Sequence, residues 1–360
     1  MADSTHQNPN RLVAFARKIY RPLGFSKGYN FIFWFISMGY LAGFTLARLQ
    51  YLSFRGIFCN PAVQGATGAA PGECMYYFEQ PYMTGLQLHL YTILPAGVLV
   101  VLQFTPVIRH TAILFHRLNG YLVIMLSLIS SVGAIIILPH AFGGDFATQT
   151  FGGTMVVSTT IAYIMAYTNI KLLQIDQHRA WMIRGWALFS VVVTIRLIQV
   201  IASLIISKMA SNQWLVARPC KQINFILGPE STLQSYPDCA FYYNGTNPGQ
   251  QVVVSAGFPN GNPAEIAAAL GITFGGAGWL GLVIHAFFAE LYLRLTPKES
   301  TRLRYVSYTR QLAKGMKRPG YAGTVVEHFG DAEIYVPPSQ FAQKGQEMGH
   351  AGGAQDALSG

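Results

Sequence analysis

Six polar side chains stand inside or at the ends of long apolar runs, and chemistry would fall to them. Arg196 lies near the middle of the apolar run 183–207, about a dozen residues from either end. At 1.5 Å per residue that is roughly 18 Å, too far for the side chain to snorkel to a membrane surface. It must meet backbone carbonyls, a water-filled cavity, or the anionic group of a ligand such as a haem propionate or a substrate carboxylate. The runs 84–108, 119–139, 150–172 and 183–207 contain no Asp or Glu, and Glu265 and Glu290 belong to the ends of a later run. The competing reading satisfies Arg196 with carbonyls, Gln199 and the hydroxyls of the run 150–172.

The other five are histidines. His89 and His140 fall towards one side of the apolar runs, His116 and His178 at the opposite side, with His285 near the depth of the second pair. Two such layers are what a b-type cytochrome needs: neutral imidazoles from different helices at one depth, gripping haem iron between apolar walls. On that reading His89, His140, His116, His178 and Arg196 are the cofactor-binding set. Near-neutral titration also suits His116 and His178 to acid or base catalysis. The competing reading makes them interfacial, since His116 and His178 are each followed by arginine. The chain has no P-loop, no G-x-S-x-G elbow, no C-x-x-C, no H-E-x-x-H and no acidic cluster suited to metal-dependent prenyl transfer.

The elements that must position these residues follow from composition. Of 360 residues 51% are hydrophobic and only 11% charged, with a mean hydropathy of +0.32, which points to lipid as the solvent. A bilayer core needs roughly 20 apolar residues in a helix. Six runs qualify, at 30–52, 84–108, 119–139, 150–172, 183–207 and 265–293. The expectation is an all-α, polytopic bundle of six transmembrane helices. Its domains are a segment 1–29, a membrane domain 30–294, and a tail 295–360 that is first basic and then, from Gly320 on, disordered. Pro95 is expected to kink the second span. Gly271, the stretch Phe274 to Gly278, and Gly281 read as a small-residue packing face on the sixth.

The net charge of +10 belongs to the membrane rather than to nucleic acid, because the basic residues flank the spans. Arg11, Arg17, Lys18, Arg21 and Lys27, then Arg109 and Arg117, then Lys171, Arg179 and Arg184, and the basic region after 294 fall on one side. Only Arg55, Lys208, Arg218 and Lys221 occupy the opposite loops. Both termini are therefore expected in the cytosol, in the plasma membrane or an endomembrane. Cys59, Cys74, Cys220 and Cys239 then share the outer side, where they form two bridges, either within each loop or between the loops. The sequon Asn244-Gly245-Thr246 lies on that side too. The basic stretch from Arg294 to Arg318, interleaved with Leu303, Tyr305, Val306 and Tyr308, reads either as a segment held against anionic headgroups or as stop-transfer charge.

Three strings carry a resemblance: His116-Arg117-Leu118-Asn119-Gly120-Tyr121, Gln177-His178-Arg179-Ala180-Trp181-Met182-Ile183-Arg184, and Arg196-Leu197. The segment 84–207 resembles a family of predicted multipass membrane proteins of fungi and bacteria catalogued as a domain of unknown function. Its opening portion is matched by His89, Gln103 and Phe104. The resemblance implies no reaction. It groups His116, Arg117, His178, Arg179, Arg184 and Arg196, and it implies an accessory role beside a fungal secondary-metabolite pathway. The two motifs would form one cationic, imidazole-bearing mouth suited to an anionic ligand. Three function classes follow: a redox protein carrying haem b across the bilayer, a membrane-embedded enzyme on a lipophilic substrate, or a transporter or scaffold without chemistry. Membrane lipid and a lipophilic or anionic small molecule are the expected partners, with no nucleic acid.

Overall fold

The computed structural model describes residues 11–62, 68–209 and 213–338. Helices dominate, as apolar length predicts. A short amphipathic α1 (Arg11–Tyr20) precedes α2 (Gly28–Arg48). There follow α3 (Tyr82–Gln103), α4 (Pro106–Thr111), α5 (Ile113–Ile137), α6 (Phe146–Lys171), α7 (Ile175–Phe189) and α8 (Val191–Ile206). A two-stranded antiparallel ribbon, β1 (Leu215–Pro219) and β2 (Gln251–Ser255), pairs Leu215 with Ser255 and Pro219 with Gln251. Between its strands comes α9 (Cys220–Leu227), and after it α10 (Pro263–Leu295) and α11 (Pro297–Ala313). Proline opens α4, α10 and α11 at the position where its missing N–H costs nothing.

Among the described residues five segments are long and apolar enough to cross a membrane: Gly28–Leu52, Tyr82–Gln103, Ile113–Ile137, Ile175–Ile206 and Pro263–Leu295. The protein is a polytopic membrane protein. The expected fourth span, 150–172, lies in α6, whose 26 residues suffice in length but are diluted by threonine, serine and glycine. The expected fifth span is two helices, α7 and α8, which meet at Ser190, where the Val193 amide turns back to the Ser190 carbonyl at 3.1 Å. Pro95 is accommodated inside α3, which runs on through it.

The chain divides into two compact units. The first comprises Met1–Thr154 and Ser190–Gly281. Within it α3 and α5 pack so closely that a Cβ on Gly133 would lie 2.4 Å from the Gly85 carbonyl oxygen, which is why glycine occupies both places. The expected small-residue face of α10 is real in this unit. A Cβ on Gly275 would meet the Ala147 and Thr148 backbone, and one on Gly278 the Phe151 ring. Both disulfides are local, Cys59–Cys74 and Cys220–Cys239, which selects one of the pairings left open by the sequence. Each seeds a buried cluster, the first with Phe54, Tyr77 and Leu86, the second with Ile223, Val254 and Ala268.

The second unit comprises Met155–Phe189 and Leu282–Gly360. Its described C-terminal residues depart from the disorder expected after Gly320. The Gly320 amide donates to Gln311 Oε1 at 2.6 Å, Thr324 accepts from both Asn169 and Trp181, and Val325 is buried. The composition hid this, because the contacts are polar and single, without an apolar period. Residues 339–360 of that expectation lie outside the described residues.

Candidate functional site

The counter-charge missing around Arg196 comes from a loop. Arg196 on α8 donates from Nη1 to Gln199 Oε1 at 3.1 Å, and Gln199 Nε2 donates in turn to the Leu270 carbonyl at 2.8 Å. The guanidinium carbon lies 4.5 Å from the Phe142 ring centroid and 5.4 Å from that of Phe274, and these two rings stack on each other at 4.3 Å. Phe142 has a left-handed φ of 52° and its amide donates to Glu73 Oε1 at 2.6 Å. The second carboxylate oxygen accepts from the Ala70 amide at 3.3 Å. Glu73 is thus buried beneath the loop that carries Cys74, within electrostatic reach of Arg196 and Arg218.

Burial raises the Glu73 carboxyl above its ordinary value, opposed by the Phe142 amide, Arg196, the Ala70 amide and Arg218. Tyr77, buried beside it, is raised well above the ordinary tyrosine value by burial first and by the Glu73 charge second. Arg218 at the end of β1 is buried and its pKa is lowered by that burial. It fills the space that side chains on Gly143 and Gly271 would occupy and donates to the Ala267 carbonyl at 3.3 Å, while among the described residues its Nε has no hydrogen-bond partner. A third arginine, Arg48 near the end of α2, stacks on Phe44 at 3.6 Å and acts on Arg196 through charge. Two guanidinium groups therefore act on the Glu73 carboxylate, the third acts on Arg196, and Asp145 acts on Arg218. Glu73, Arg218 and Arg48 escaped the sequence reading because each sits in a loop, in a strand or near a span end, where charge is ordinary; only folding brings them to Arg196.

The histidines of this unit are engaged locally. His89 Nδ1 lies 2.9 Å from Ser130 Oγ and 3.1 Å from the Ser130 carbonyl. His140 stacks on Tyr76 at 4.1 Å and meets Tyr82 edge-on at 4.3 Å, and its imidazole is depressed below its ordinary value by burial, with Glu79 opposing. Ser130 lies seven residues before the end of α5, about 10 Å along the axis, and His140 lies beyond that end. The two do not share the depth expected of paired axial ligands, and the close contact at Gly133 leaves no porphyrin-wide slot between α3 and α5 at His89. His116 approaches Gln103, Nε2 to Nε2, at 3.4 Å. In the same motif Asn119 is buried and donates to Gln103 Oε1 at 2.9 Å and to the Leu99 carbonyl at 3.0 Å, a packing role.

The Q-H-R-x-W-M-x-R string opens α7 in the second unit and binds its neighbours. His178 Nδ1 lies 2.8 Å from the Ala166 carbonyl, Arg179 donates to Thr296 Oγ1 at 3.0 Å, and Trp181 donates to Thr324 Oγ1 at 2.9 Å. Arg184 grips Glu290 with both Nε and Nη2, at 2.6 and 3.1 Å. The preceding Asp176 accepts from Ser307 at 2.9 Å and faces Arg304 at 3.7 Å, and Arg304 also pairs with Glu327 at 2.7 Å. His285 reaches the Ala187 carbonyl at 2.7 Å. Ala187 is nine residues past His178 on α7, about 13 Å, so His285 does not share the depth of His178. Arg179 and Arg184, expected to line a cationic mouth, are spent on these contacts. Asn244 is exposed, with its side chain accepting from the Thr246 amide and hydroxyl. Among the described residues no group of three or more His, Cys, Asp or Glu could hold a metal ion.

Residues 87–229 match the model of a family described as predicted membrane protein (DUF2306), a domain of unknown function. The chain is also similar to "Ava biosynthesis cluster protein G" of Aspergillus versicolor, 24% identical over 324 residues that cover 79% of this chain and 94% of that protein. No solved structure matches.

Proposed function

We propose that this DUF2306-matching membrane protein serves a fungal secondary-metabolite pathway as an accessory protein that holds an acidic, lipophilic molecule at Arg196. The likeness to a biosynthesis-cluster protein supports the setting. The observation that carries the ligand class is the cluster of guanidinium groups: Arg196 and Arg218 act on Glu73, Arg48 acts on Arg196, Asp145 acts on Arg218, and both oxygens of Glu73 already accept backbone amides. Buried cation in excess calls for an anion. An acid with an apolar body would bring that anion and stay in lipid. The same two helices, α8 and α10, line an apolar groove of about 270 Å³ between Ile198, Ala202, Ile206, Ile272 and Leu280.

The test is thermal stabilisation of the detergent-purified protein by a long-chain fatty acid and by its neutral primary amide. The acid is expected to raise the melting temperature of the wild type and not of Arg196→Gln. An equal shift from the amide, or none from the acid, ends the proposal.

A second reading, a haem-dependent redox role or acid–base catalysis, rests on His178. Its Nδ1 contact with the Ala166 carbonyl favours the tautomer that leaves the lone pair on Nε2. A Soret band in purified protein, lost in His178→Ala, is the expected result for haem; a colourless protein rejects it. Product formation that survives both His116→Ala and His178→Ala rejects catalysis.

A further inference from the structure

We infer that α1 is a lipid-binding helix that recognises anionic phospholipid headgroups in the leaflet on the N-terminal side of the membrane. At 100° per residue the helix has two faces. Phe15, Ala16 and Ile19 fall on one, and Phe15 and Ile19 are 64% and 47% exposed, though nothing in a water-soluble setting would favour that. Arg17 and Lys18 fall on the other, with Arg11 at the boundary one turn before Phe15 and Arg21 just beyond the helix end. Arg17, Lys18 and Arg21 border a shallow, open basic hollow together with Ala14 and Pro22. Among the described residues, none of these four cations nor Lys27 forms an ion pair with a carboxylate.

The placement of α1 makes the membrane its partner. Only seven residues separate its end at Tyr20 from the start of the spanning helix α2. That connection is fixed rather than loose. Gly24, with φ +88°, turns the chain against Pro106, and the Val107 amide donates to the Leu23 carbonyl at 3.0 Å. Tyr20 and Phe25 are buried, with Phe25 against Phe31 and Trp34 at 5.7 and 5.4 Å. The helix is therefore tethered where α2 enters the bilayer. Its apolar face enters the acyl boundary while its basic face meets phosphate. Charge complementarity selects acidic phospholipid, since each Lys or Arg near such a surface contributes about 1 kcal/mol, or fivefold.

The test uses the full chain. All four native cysteines are paired, so Phe15→Cys introduces one reactive thiol for an environment-sensitive fluorophore. In vesicles of phosphatidylcholine and phosphatidylserine the label is expected to emit as in an apolar medium and to be quenched by nitroxide-bearing acyl chains. In phosphatidylcholine alone, or with Arg17→Gln, Lys18→Gln and Arg21→Gln combined, the inserted population is expected to fall, about fivefold for each charge removed. Unchanged melting of the variants excludes misfolding. A water-like label in acidic vesicles overturns the proposal. So does a label equally buried in both lipids, which would indicate insertion without headgroup recognition or cover by a second copy. Restoration in phosphatidylcholine by inorganic phosphate alone would assign the basic hollow to free anion and overturn the headgroup assignment.

Discussion

Because burial holds the Glu73 carboxyl above its ordinary value of 4.5, between that pH and the raised value the native protein keeps a proton there that the unfolded chain has released, and above it Glu73 is the carboxylate that faces Arg196. Stability then falls as pH rises from 4.5 to the raised value, and the loss is complete above it. Glu73→Gln still offers an oxygen to the Phe142 amide but does not titrate. Relative to that variant, the wild type is expected to lose melting temperature as pH rises through this window; a flat difference rules the assignment out. The ion pair Arg184–Glu290 is different in kind, with the two side chains 29% and 50% exposed. Arg184→Ala is expected to cost under about 1 kcal/mol in a denaturation midpoint, and a larger loss would show that Arg184 carries more than this pair. At this scale the sequence exposes Arg196, because a charge in mid-span is anomalous by itself. It conceals Glu73 and Arg218, because their meaning lies in burial acquired through long-range packing.

Single helices were legible by apolar length, and their joints were not. The break at Ser190 within the run 183–207 carries no proline or glycine to mark it. The contact of α3 with α5 depends on Gly85 and Gly133, which have no sequence spacing in common. Gly133→Val would drive a side chain to within 2.4 Å of the Gly85 oxygen and 2.7 Å of the His89 amide. About 1–3 kcal/mol of destabilisation is expected, measured by thermal melting; tolerance of valine would mean that the two helices separate at little cost. In the loop between β1 and β2, the bridge Cys220–Cys239 closes 19 residues. Cys220→Ser is expected to cost about 3 kcal/mol, read as a lowered melting temperature that reductant reproduces in the wild type. A reductant-insensitive wild type would contradict it.

Across the whole molecule, charge asymmetry, cysteines and the sequon agree on an orientation that six spans and cytosolic termini would produce. The threonine-rich α6 falls outside the five segments apolar enough to span, so an even count would depend on it. Expression in a eukaryotic host tests the arrangement: the wild type is expected to carry a glycan removable by endoglycosidase and absent from Asn244→Gln. An unshifted wild type on gels would place that loop away from the glycosylating side. The described tail was the part least legible in advance, since its anchors are individual hydrogen bonds to Gln311, Asn169 and Trp181 rather than a pattern.

Those anchors bear on the order of assembly during synthesis. Asn169 and Trp181 leave the ribosome more than a hundred residues before Thr324, whose hydroxyl accepts from both. Until Thr324 emerges, the indole N–H lacks this acceptor and the Asn169 amide has only the Met165 carbonyl one turn before it. The second unit thus reaches its final hydrogen bonding only after residue 324 has been added, and a chain stopped before it would leave the Trp181 indole without that acceptor.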